Sequence, residues 1–409
     1  MSDGGGAPPP RLNRRQLLRT GAVAAGGVAL GVAAREATVA EAASPAAPAI
    51  VPFRGVHQAG VATSPQAYAA FVAYDLRGGV DREALVRLMR IWTDDIERLS
   101  QGRPGLSDTE PELALAKARL TVTLGLGPGV FDAARLPDRK PSWLAPLPAF
   151  GIDRLEEQWS GGDLLLQVCA DDELTVSHAV RVLTKEARTF TSVRWVQRGF
   201  RQSSPTAGAG GSTRNLMGQV DGTRNPDADT ESSLFWIGDR SQQWFGPQPS
   251  WLTGGTSLVV RRIAMELDTW DELDRTGREQ AVGRRLDNGA PLTGMREKDE
   301  PDLEALNDLG LEVIEPFAHI RRARSDDPRE RFLRRPYNYD EAPPKGQLSS
   351  SGLVFATYQA DVDKQYVPIQ RRLDELDLLN KWTTPIGSAV FAVPPGCQRG
   401  EFLAQSLLG

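Results

Sequence analysis

The order of secondary-structure signals occurs twice along the chain, and this repetition limits the fold more than any other feature. After residue 53 the pattern predicts strand, helix, strand, strand, helix and strand. A similar set begins near Ser233, although the two sets share no residue-level repeat. In the second set "WDELDRTGREQAVGRR" predicts a helix and "LEVIEPFAHI" predicts the end of a strand. This order predicts an α+β fold with ferredoxin-like units built on antiparallel sheets, and it indicates an internal duplication.

The N-terminal segment "RLNRRQLLRTGAVAAGGVALGVAA" is typical of a targeting signal. Arg14 and Arg15 precede a weakly apolar stretch, as in signals of the twin-arginine (Tat) pathway, and small residues near Ala42 suit cleavage. We therefore expect residues 1–42 to be a Tat signal peptide and the Tat translocase to be a partner during export. The mature protein would then lie in the periplasm, at the cell envelope or outside the cell. The alternative is a basic amphipathic arm that stays in the cytoplasm.

Two stretches rich in small residues and proline set the expected domain bounds. "SPAAPAIVP" indicates a linker over residues 43–52, and "RQSSPTAGAGGST" indicates a flexible boundary. We expect an N-terminal ferredoxin-like domain over 53–205 and a C-terminal one over 214–409. A chain of 409 residues that is 40% hydrophobic can bury a core of that extent.

Charge, apolar runs and cysteines exclude several classes of function. The formal net charge of −5 gives no reason to expect nucleic acid as a partner. Beyond the N-terminal signal, no segment approaches 18 uninterrupted apolar residues, so we expect no membrane span in the mature chain. Cys169 and Cys397 match no zinc spacing, and their apolar surroundings predict buried, unreactive thiols.

The chain contains three histidines, which nearly excludes a site built from several imidazoles. His178 lies opposite the apolar face of the helix predicted over 174–190, so we expect it to be solvated. His57 lies in the glycine-containing segment "FRGVHQAG" and is expected to be a turn histidine; the alternative is that it forms part of a site.

His319 differs from the other two histidines because it ends an apolar segment and is followed at once by arginines. Arg321, Arg322 and Arg324 come within five residues of it. An imidazole beside several guanidinium groups suits haem, whose iron binds the imidazole and whose propionates bind the arginines. The alternative is a core histidine beside a solvated basic stretch. Asp361 is a candidate to accept a hydrogen bond from His319.

The stretch "RNLMGQVDGTRNP" places Asp221 between glycines and amides. This carboxylate is either part of an ordinary turn or a proton acceptor held against a ligand. Peroxide chemistry at haem needs a proton shuttle and a positive charge on the side opposite the axial ligand. His178 is a poor candidate for the shuttle and His57 an unproven one, so a carboxylate is the natural replacement. Asp221 is the best-placed acid, and "RFLRRPYNYD" offers Arg334 or Arg335 as the cation.

The ordered blocks "GQVDGTRNP", "AHIRRARSDDP" and "FLRRPYNYD" resemble the dye-decolourising peroxidase family. Further matching blocks run through almost the whole mature chain, among them "FRGVHQAG", "LTVTLGLGPGVFD", "WLTGGTSLVVRRIAMELDTWDEL" and "TTPIGSAVFAVPPG". Together with the Tat signal, they resemble the exported subgroup that includes bacterial periplasmic deferrochelatase/peroxidases.

The resemblance implies two ferredoxin-like domains, with haem (heme b, iron protoporphyrin IX) held mainly by the C-terminal one. It implies that His319 is the axial ligand to the iron, that Asp221 is the distal acid/base, and that Arg334 is the distal arginine. Pro336 follows the arginine pair and restricts the backbone of Arg335, which favours Arg334 over Arg335. The residues expected to contact haem are Gly222, Thr223, Arg224, His319, Arg324, Ser325, Asp326 and Arg334.

One motif departs from the family pattern. The family commonly has Asn-Pro-Arg shortly after the haem histidine, where this chain has "RSDDPR". Arg324 or Arg329 is expected to compensate in binding the propionates.

The expected activity is that of a haem peroxidase that reduces hydrogen peroxide and oxidises organic donors such as dyes and phenolics. The alternative is a haem-handling protein, a deferrochelatase, that releases iron from haem. A third interpretation, an exported module without a cofactor, predicts no Soret absorption in the purified protein. The sequence leaves the oligomeric state open.

Overall fold

A computed structural model describes residues 50–202 and 213–409. The predicted Tat signal over 1–42 and most of the predicted boundary segment lie outside the described residues. Among the described residues, no helix is both long and apolar enough to cross a bilayer.

The N-terminal half has the predicted order of elements. The elements are β1 (Tyr68–Leu76), α1 (Arg82–Ser100), β2 (Thr121–Leu126), α2 (Pro128–Ala133), β3 (Leu164–Ala170), α3 (Glu173–Ala187) and β4 (Thr191–Phe200). The strands lie in the order β2, β3, β1, β4 and all pair antiparallel, so β3 and β1 are central. Helix α1 begins where Asp81 caps it, its side chain accepting a hydrogen bond from the backbone N–H of Ala84 at 2.9 Å.

The C-terminal half repeats this strand order. Its elements are β5 (Thr213–Arg214), β6 (Val220–Asp221), α4 (Asp239–Phe245), β7 (Thr256–Met265), α5 (Leu267–Trp270), α6 (Arg275–Val282), α7 (His319–Arg322), β8 (Leu333–Arg334), β9 (Tyr337–Asp340), β10 (Ser351–Gln359), α8 (Val367–Leu376), β11 (Thr383–Val393) and α9 (Gln405–Leu408). β7 pairs with β11 on one side and with β10 on the other, and β8 and β9 pair with the far edge of β10. The predicted α+β class with two ferredoxin-like units is therefore confirmed.

The two halves share a core. Single residue pairs join β11 to β2 and β4 to β9, so the strands of both halves belong to one continuous sheet. Buried aromatic side chains from both halves meet in one cluster. Alternate residues of β1 face this shared core, whereas the residues between them face α1 and α3, as the period of two in a strand requires. The shared core contains Phe71, Trp195, Tyr337, Tyr358 and Phe391. Cys169 lies in it, and both cysteines are buried free thiols, as predicted.

Three local predictions were wrong in extent or in kind. Only part of the helix predicted over "WDELDRTGREQAVGRR" forms: α6 spans Arg275–Val282 and begins where Asp274 caps it, whereas Trp270 is the last residue of the preceding helix α5. The segment "LEVIEPFAHI" forms no strand; its apolar residues Ile314, Ala318 and Ile320 make a small separate cluster, and His319 begins helix α7. Proline at position 316 cannot donate a ladder hydrogen bond, which disfavours a strand there.

The third wrong prediction concerns His178, which is buried and not solvated. Its Nε2 lies 2.8 Å from Asp108 Oδ2 because the loop before β2 packs across the polar face of α3. Lys185 on the same helix donates a hydrogen bond to the backbone carbonyl of Ser107 in that loop. His57, by contrast, lies in a turn as predicted, where its ring stacks on Trp236 with centroids 4.0 Å apart.

Candidate active site

A cavity of about 300 Å³ lies in the C-terminal half. Helices α7 and α8, the β6 segment and strands β7, β8 and β10 contribute its walls. Much of the lining is apolar, and these side chains include Met217, Met265, Val282, Leu353, Phe355 and Ile369. The remaining walls carry His319, Asp221 and several arginines, so an apolar space meets a charged rim.

His319 enters this cavity from the first residue of α7 and is oriented by Asp377. Its Nδ1 lies 2.6 Å from Asp377 Oδ2, and the other carboxylate oxygen accepts the backbone N–H of Leu379 at 3.0 Å. An ionised carboxylate can only accept, so in the neutral ring Nδ1 carries the proton and Nε2 keeps its lone pair. The imidazole side chain is 35% exposed whereas Asp377 is 4% exposed, because the ring faces the cavity and the carboxylate lies behind it.

The surroundings of His319 make its imidazole more basic. Burial acts to lower the pKa of His319, but the charge and hydrogen bond of Asp377 outweigh it, and the pKa is raised above its ordinary value. Arg334 lowers and Asp221 raises the pKa of the same ring through their charges. A carboxylate behind a histidine is the arrangement that strengthens a histidine as a metal ligand.

Asp221 ends a tight hairpin formed by β5 and β6. Asn215 closes its turn by accepting the backbone N–H groups of Met217 and Gln219, each at 3.1 Å, and Gly218 adopts a φ of +81°. The Asp221 side chain is 12% exposed, and its Oδ1 is buried with no hydrogen-bond partner among the described residues. The hairpin therefore presents a buried carboxylate oxygen at the cavity wall.

Arg334 supplies the cation beside Asp221. Its Nη1 lies 3.3 Å from Asp221 Oδ1. Asn225, four residues after Asp221, makes two hydrogen bonds to the backbone of Arg334. Its Nδ2 donates to the carbonyl oxygen at 2.7 Å, and its Oδ1 accepts from the N–H at 3.0 Å. The loop that carries the acid thus also fixes the strand that carries the arginine.

Arg335 points away from the cavity, because successive side chains of a strand alternate between its faces. It is 1% exposed, and its guanidinium donates to the backbone carbonyl of Thr63 and to Gln66 Oε1 in the N-terminal half. Of the two adjacent arginines, Arg334 is the one that lines the cavity.

Five arginines line the cavity: Arg224, Arg284, Arg324, Arg331 and Arg334. Burial, together with the charges of Arg324, Arg334 and Arg224, lowers the pKa of Arg284 to about 10. This mutual repulsion means that the rim favours an anionic ligand.

The structure brings together most of the residues predicted to contact the cofactor. Thr223, Arg224, His319, Arg324, Ser325 and Arg334 all line the cavity. Gly222 adopts a φ of +98°, and open space lies beside its Cα, although it is not among the lining residues. Asp326 is exposed and Arg329 pairs with Asp327, so neither lines the cavity.

The prediction that Asp361 supports His319 was wrong. Asp361 instead accepts the backbone N–H of Lys364 and the side-chain amide of Gln248. Sequence reasoning missed Asp377 and Arg284, since neither belongs to a motif that marks it out.

The residues present fit a haem group. Haem needs a nitrogen ligand for its iron, apolar contacts for its ring and cations for its two propionates. His319 Nε2, the apolar lining and the arginine-rich rim supply these three features in one cavity. The buried Oδ1 of Asp221, which forms an ion pair with Arg334 but accepts no hydrogen bond from the described residues, adds a proton acceptor on the same cavity.

Family models match both halves of the chain. The model described as "Dyp-type peroxidase, N-terminal" matches residues 58–201, and "Dyp-type peroxidase, C-terminal" matches residues 212–398.

Individual proteins and solved structures are similar over most of their length. The dye-decolorizing peroxidase of Thermobifida fusca (strain YX) is 38% identical over 361 residues, which cover 86% of this chain and 83% of that protein. The deferrochelatase of Yersinia pestis bv. Antiqua (strain Nepal516) is 33% identical over 375 residues, covering 87% and 84%. The crystal structure of a DyP-type peroxidase from Cellulomonas bogoriensis has 60% identity and a TM-score of 0.85, covering 88% of this chain and 99% of that one.

Proposed function

Because the chain belongs to the Dyp-type peroxidase family, we propose that its haem peroxidase chemistry takes place in the cavity between His319 and the Asp221–Arg334 pair. One observation carries this proposal: an imidazole held by Asp377 faces the same cavity as a buried carboxylate that is paired with a guanidinium. The reaction consumes hydrogen peroxide and oxidises organic donors, among which we propose dyes and phenolics.

The residues that would hold the cofactor follow from their chemistry. His319 Nε2 would bind the iron, and Arg224 and Arg324 would bind the propionates, with Thr223 and Ser325 beside them. When bound, haem supplies the redox-active iron and conjugated ring that exchange electrons with peroxide and with the donor.

Asp221 would move the proton during peroxide reduction. Its Oδ1 would take a proton from one oxygen of hydrogen peroxide and return it to the other oxygen, which leaves as water, while the two electrons needed to break the O–O bond would come from the bound haem. Arg334 stabilises the negative charge that develops on the departing oxygen, and its Nη1 is already 3.3 Å from Asp221 Oδ1. The two hydrogen bonds between the Asn225 side chain and the backbone of Arg334 would hold the strand that carries this guanidinium in place.

The variant Asp221→Asn tests the relay. An amide of the same shape leaves the cavity intact but cannot take up the proton. We expect normal haem uptake by Soret absorption and a second-order rate with peroxide that falls by about 10²- to 10⁴-fold in stopped-flow measurements. Asp326→Asn, an exposed acid outside the cavity lining, is the control. Full peroxide reactivity in Asp221→Asn would show that the proton travels by another route.

Iron release from haem is a second candidate function, favoured by the similarity to deferrochelatases. The same cavity would hold the substrate haem. Incubation of the protein with haem, followed by fluorescence of the extracted porphyrin, tests this candidate. Metal-free protoporphyrin would support iron release. Haem recovered intact, together with rapid peroxide turnover, would exclude iron release and leave peroxidase activity as the function.

We also propose export by the Tat pathway, on the basis of Arg14 and Arg15 and the small residues before position 42. The mature protein would comprise the two ferredoxin-like domains with the bounds 53–205 and 214–409. Replacement of both arginines by lysine should leave the precursor in the cytoplasm, as seen by fractionation and immunoblotting. Export of that variant at the normal rate would argue against the Tat signal.

A further inference from the structure

A loop that we call the strap, residues 293–302, lies in the long connection between α6 and α7. Thr293 Oγ1 closes its base by accepting the backbone N–H of Asp302 at 3.0 Å. Inside it, Asp299 Oδ2 accepts the N–H groups of Met295 and Arg296 at 3.0 and 2.9 Å. These bonds give the strap a defined shape without a helix or a strand.

One side of the strap is attached to the segment that follows Asp221. Thr223 Oγ1 donates to Glu297 Oε1 at 2.9 Å, and Arg284 Nη1 donates to the backbone carbonyl of Glu297, also at 2.9 Å. Both Thr223 and Arg284 line the cavity. The strap therefore lies directly behind residues that would contact the cofactor.

Glu300 connects the strap to two segments at once. Its Oε1 accepts a hydrogen bond from Nη1 of Arg224, which lies three residues after Asp221 in the sequence. Its Oε2 accepts a hydrogen bond from Nη2 of Arg324, which lies five residues after His319. Both arginines line the cavity, and one comes from each of the segments that carry the proposed distal acid and the proposed axial ligand. A single carboxylate thus cross-links these two segments at the charged rim.

We propose that Glu300 fastens the strap across the rim of the cavity and so retains the bound haem. This inference rests on the proposed function, because it takes the cavity to be the haem site. Without the carboxylate, Arg224 and Arg324 would carry like charges at the same rim and the link that Glu300 makes between them would be lost, so the two segments would separate more easily. Glu300 is a positioning residue here: it acts on the cofactor through the two arginines.

A competing role predicts the opposite result. If Glu300 merely occupied the arginines in place of a haem propionate, its removal would free both guanidinium groups for the cofactor and slow haem loss. The direction of the change in the rate of haem loss therefore decides whether Glu300 retains the haem or competes with its propionates for the two arginines.

The experiment measures haem transfer from the reconstituted protein to excess apomyoglobin. We compare the wild type with Glu300→Gln, which keeps the shape and removes the charge, and with Glu300→Asp, which keeps the charge but shortens the reach to the two arginines. Glu304→Gln, an exposed acid in the same connection, is the matched control. Because exposed ion pairs contribute modestly, we expect haem loss on the order of fivefold faster in both Glu300 variants and unchanged in the control.

The salt dependence of the rate of haem loss shows whether Glu300 acts through its ion pairs with Arg224 and Arg324 or through the shape of its side chain alone. Added salt should speed haem loss from the wild type toward the rate of Glu300→Gln and change the variant much less. The temperature of thermal unfolding should be nearly equal for the four apoproteins. Haem loss at or below the wild-type rate in both Glu300 variants would overturn the proposal. A wild type that takes up no haem through His319 would instead overturn the proposed function, so the two failures are distinguishable.

Discussion

Replacement of Asp377 by asparagine should weaken haem binding by a predictable route. Asp377 accepts two hydrogen bonds, from His319 Nδ1 at 2.6 Å and from the backbone N–H of Leu379 at 3.0 Å. Asparagine has one oxygen, so it can accept only one of these bonds and must turn its NH₂ group toward the other donor. If the NH₂ group faces the imidazole, the proton moves to Nε2 and that nitrogen can no longer bind iron.

The size of the effect follows from the same geometry. The lost contact is a charge-assisted hydrogen bond to a carboxylate that is 4% exposed, and losing such a partner behind a metal-binding histidine costs about 10- to 100-fold in affinity. The lost negative charge should also raise the reduction potential of the bound iron. Haem transfer to apomyoglobin and a spectroelectrochemical titration measure the two quantities.

Glu375→Gln is the control for this variant, because it neutralises an exposed acid two residues earlier on α8 that pairs with Arg322. We expect it to behave as the wild type. Unchanged haem loss and an unchanged potential in Asp377→Asn would refute the reasoning that this carboxylate sets the orientation and basicity of the imidazole.

Two further predictions concern a buried acid pair and the loop beside the cavity. Burial, followed by the hydrogen bond and charge of Asp95, raises the pKa of Glu186 to about 9 from an ordinary value of 4.5. Between these values the folded chain holds a proton that the unfolded chain releases, so the carboxyl lowers stability as the pH rises. Glu186→Gln should therefore raise the free energy of unfolding by on the order of 1 kcal/mol near pH 8, after allowance for solvent screening, and change it little near pH 4. Chemical denaturation at the two pH values measures this difference, and an equal gain at both would contradict the linkage. Asn225→Ala removes both hydrogen bonds to the backbone of Arg334, so the peroxide reaction should slow by about tenfold while haem content stays normal. Loss of haem with no change in the rate per haem would argue against this positioning role.

Much of the fold was predictable because it depends on local patterns. The first strand and the first helix of the predicted order are present in the folded protein as β1 and α1. His178 shows the limit of such reasoning: the helical wheel placed it on a polar face, but a loop from elsewhere in the sequence covers that face.

The candidate site was predictable only in part, for the same physical reason. Asp221, His319 and Arg334 lie in distinct motifs, and the structure places all three on one cavity. Asp377 lies 58 residues from His319 in the sequence, and no local pattern tells it apart from Asp361 as the partner of the imidazole. Glu300 lies in an acidic stretch typical of a solvated loop, and only the folded chain shows that it joins Arg224 to Arg324.

The bond between His319 and iron is the claim on which the account rests, and electron paramagnetic resonance of the ferric protein tests it most directly. The wild type reconstituted with hemin should give the spectrum of a histidine-ligated haem. His319→Ala should lose that spectrum and regain it when free imidazole is added to the cavity. A His319→Ala protein whose spectrum matches the wild type without added imidazole would contradict the account.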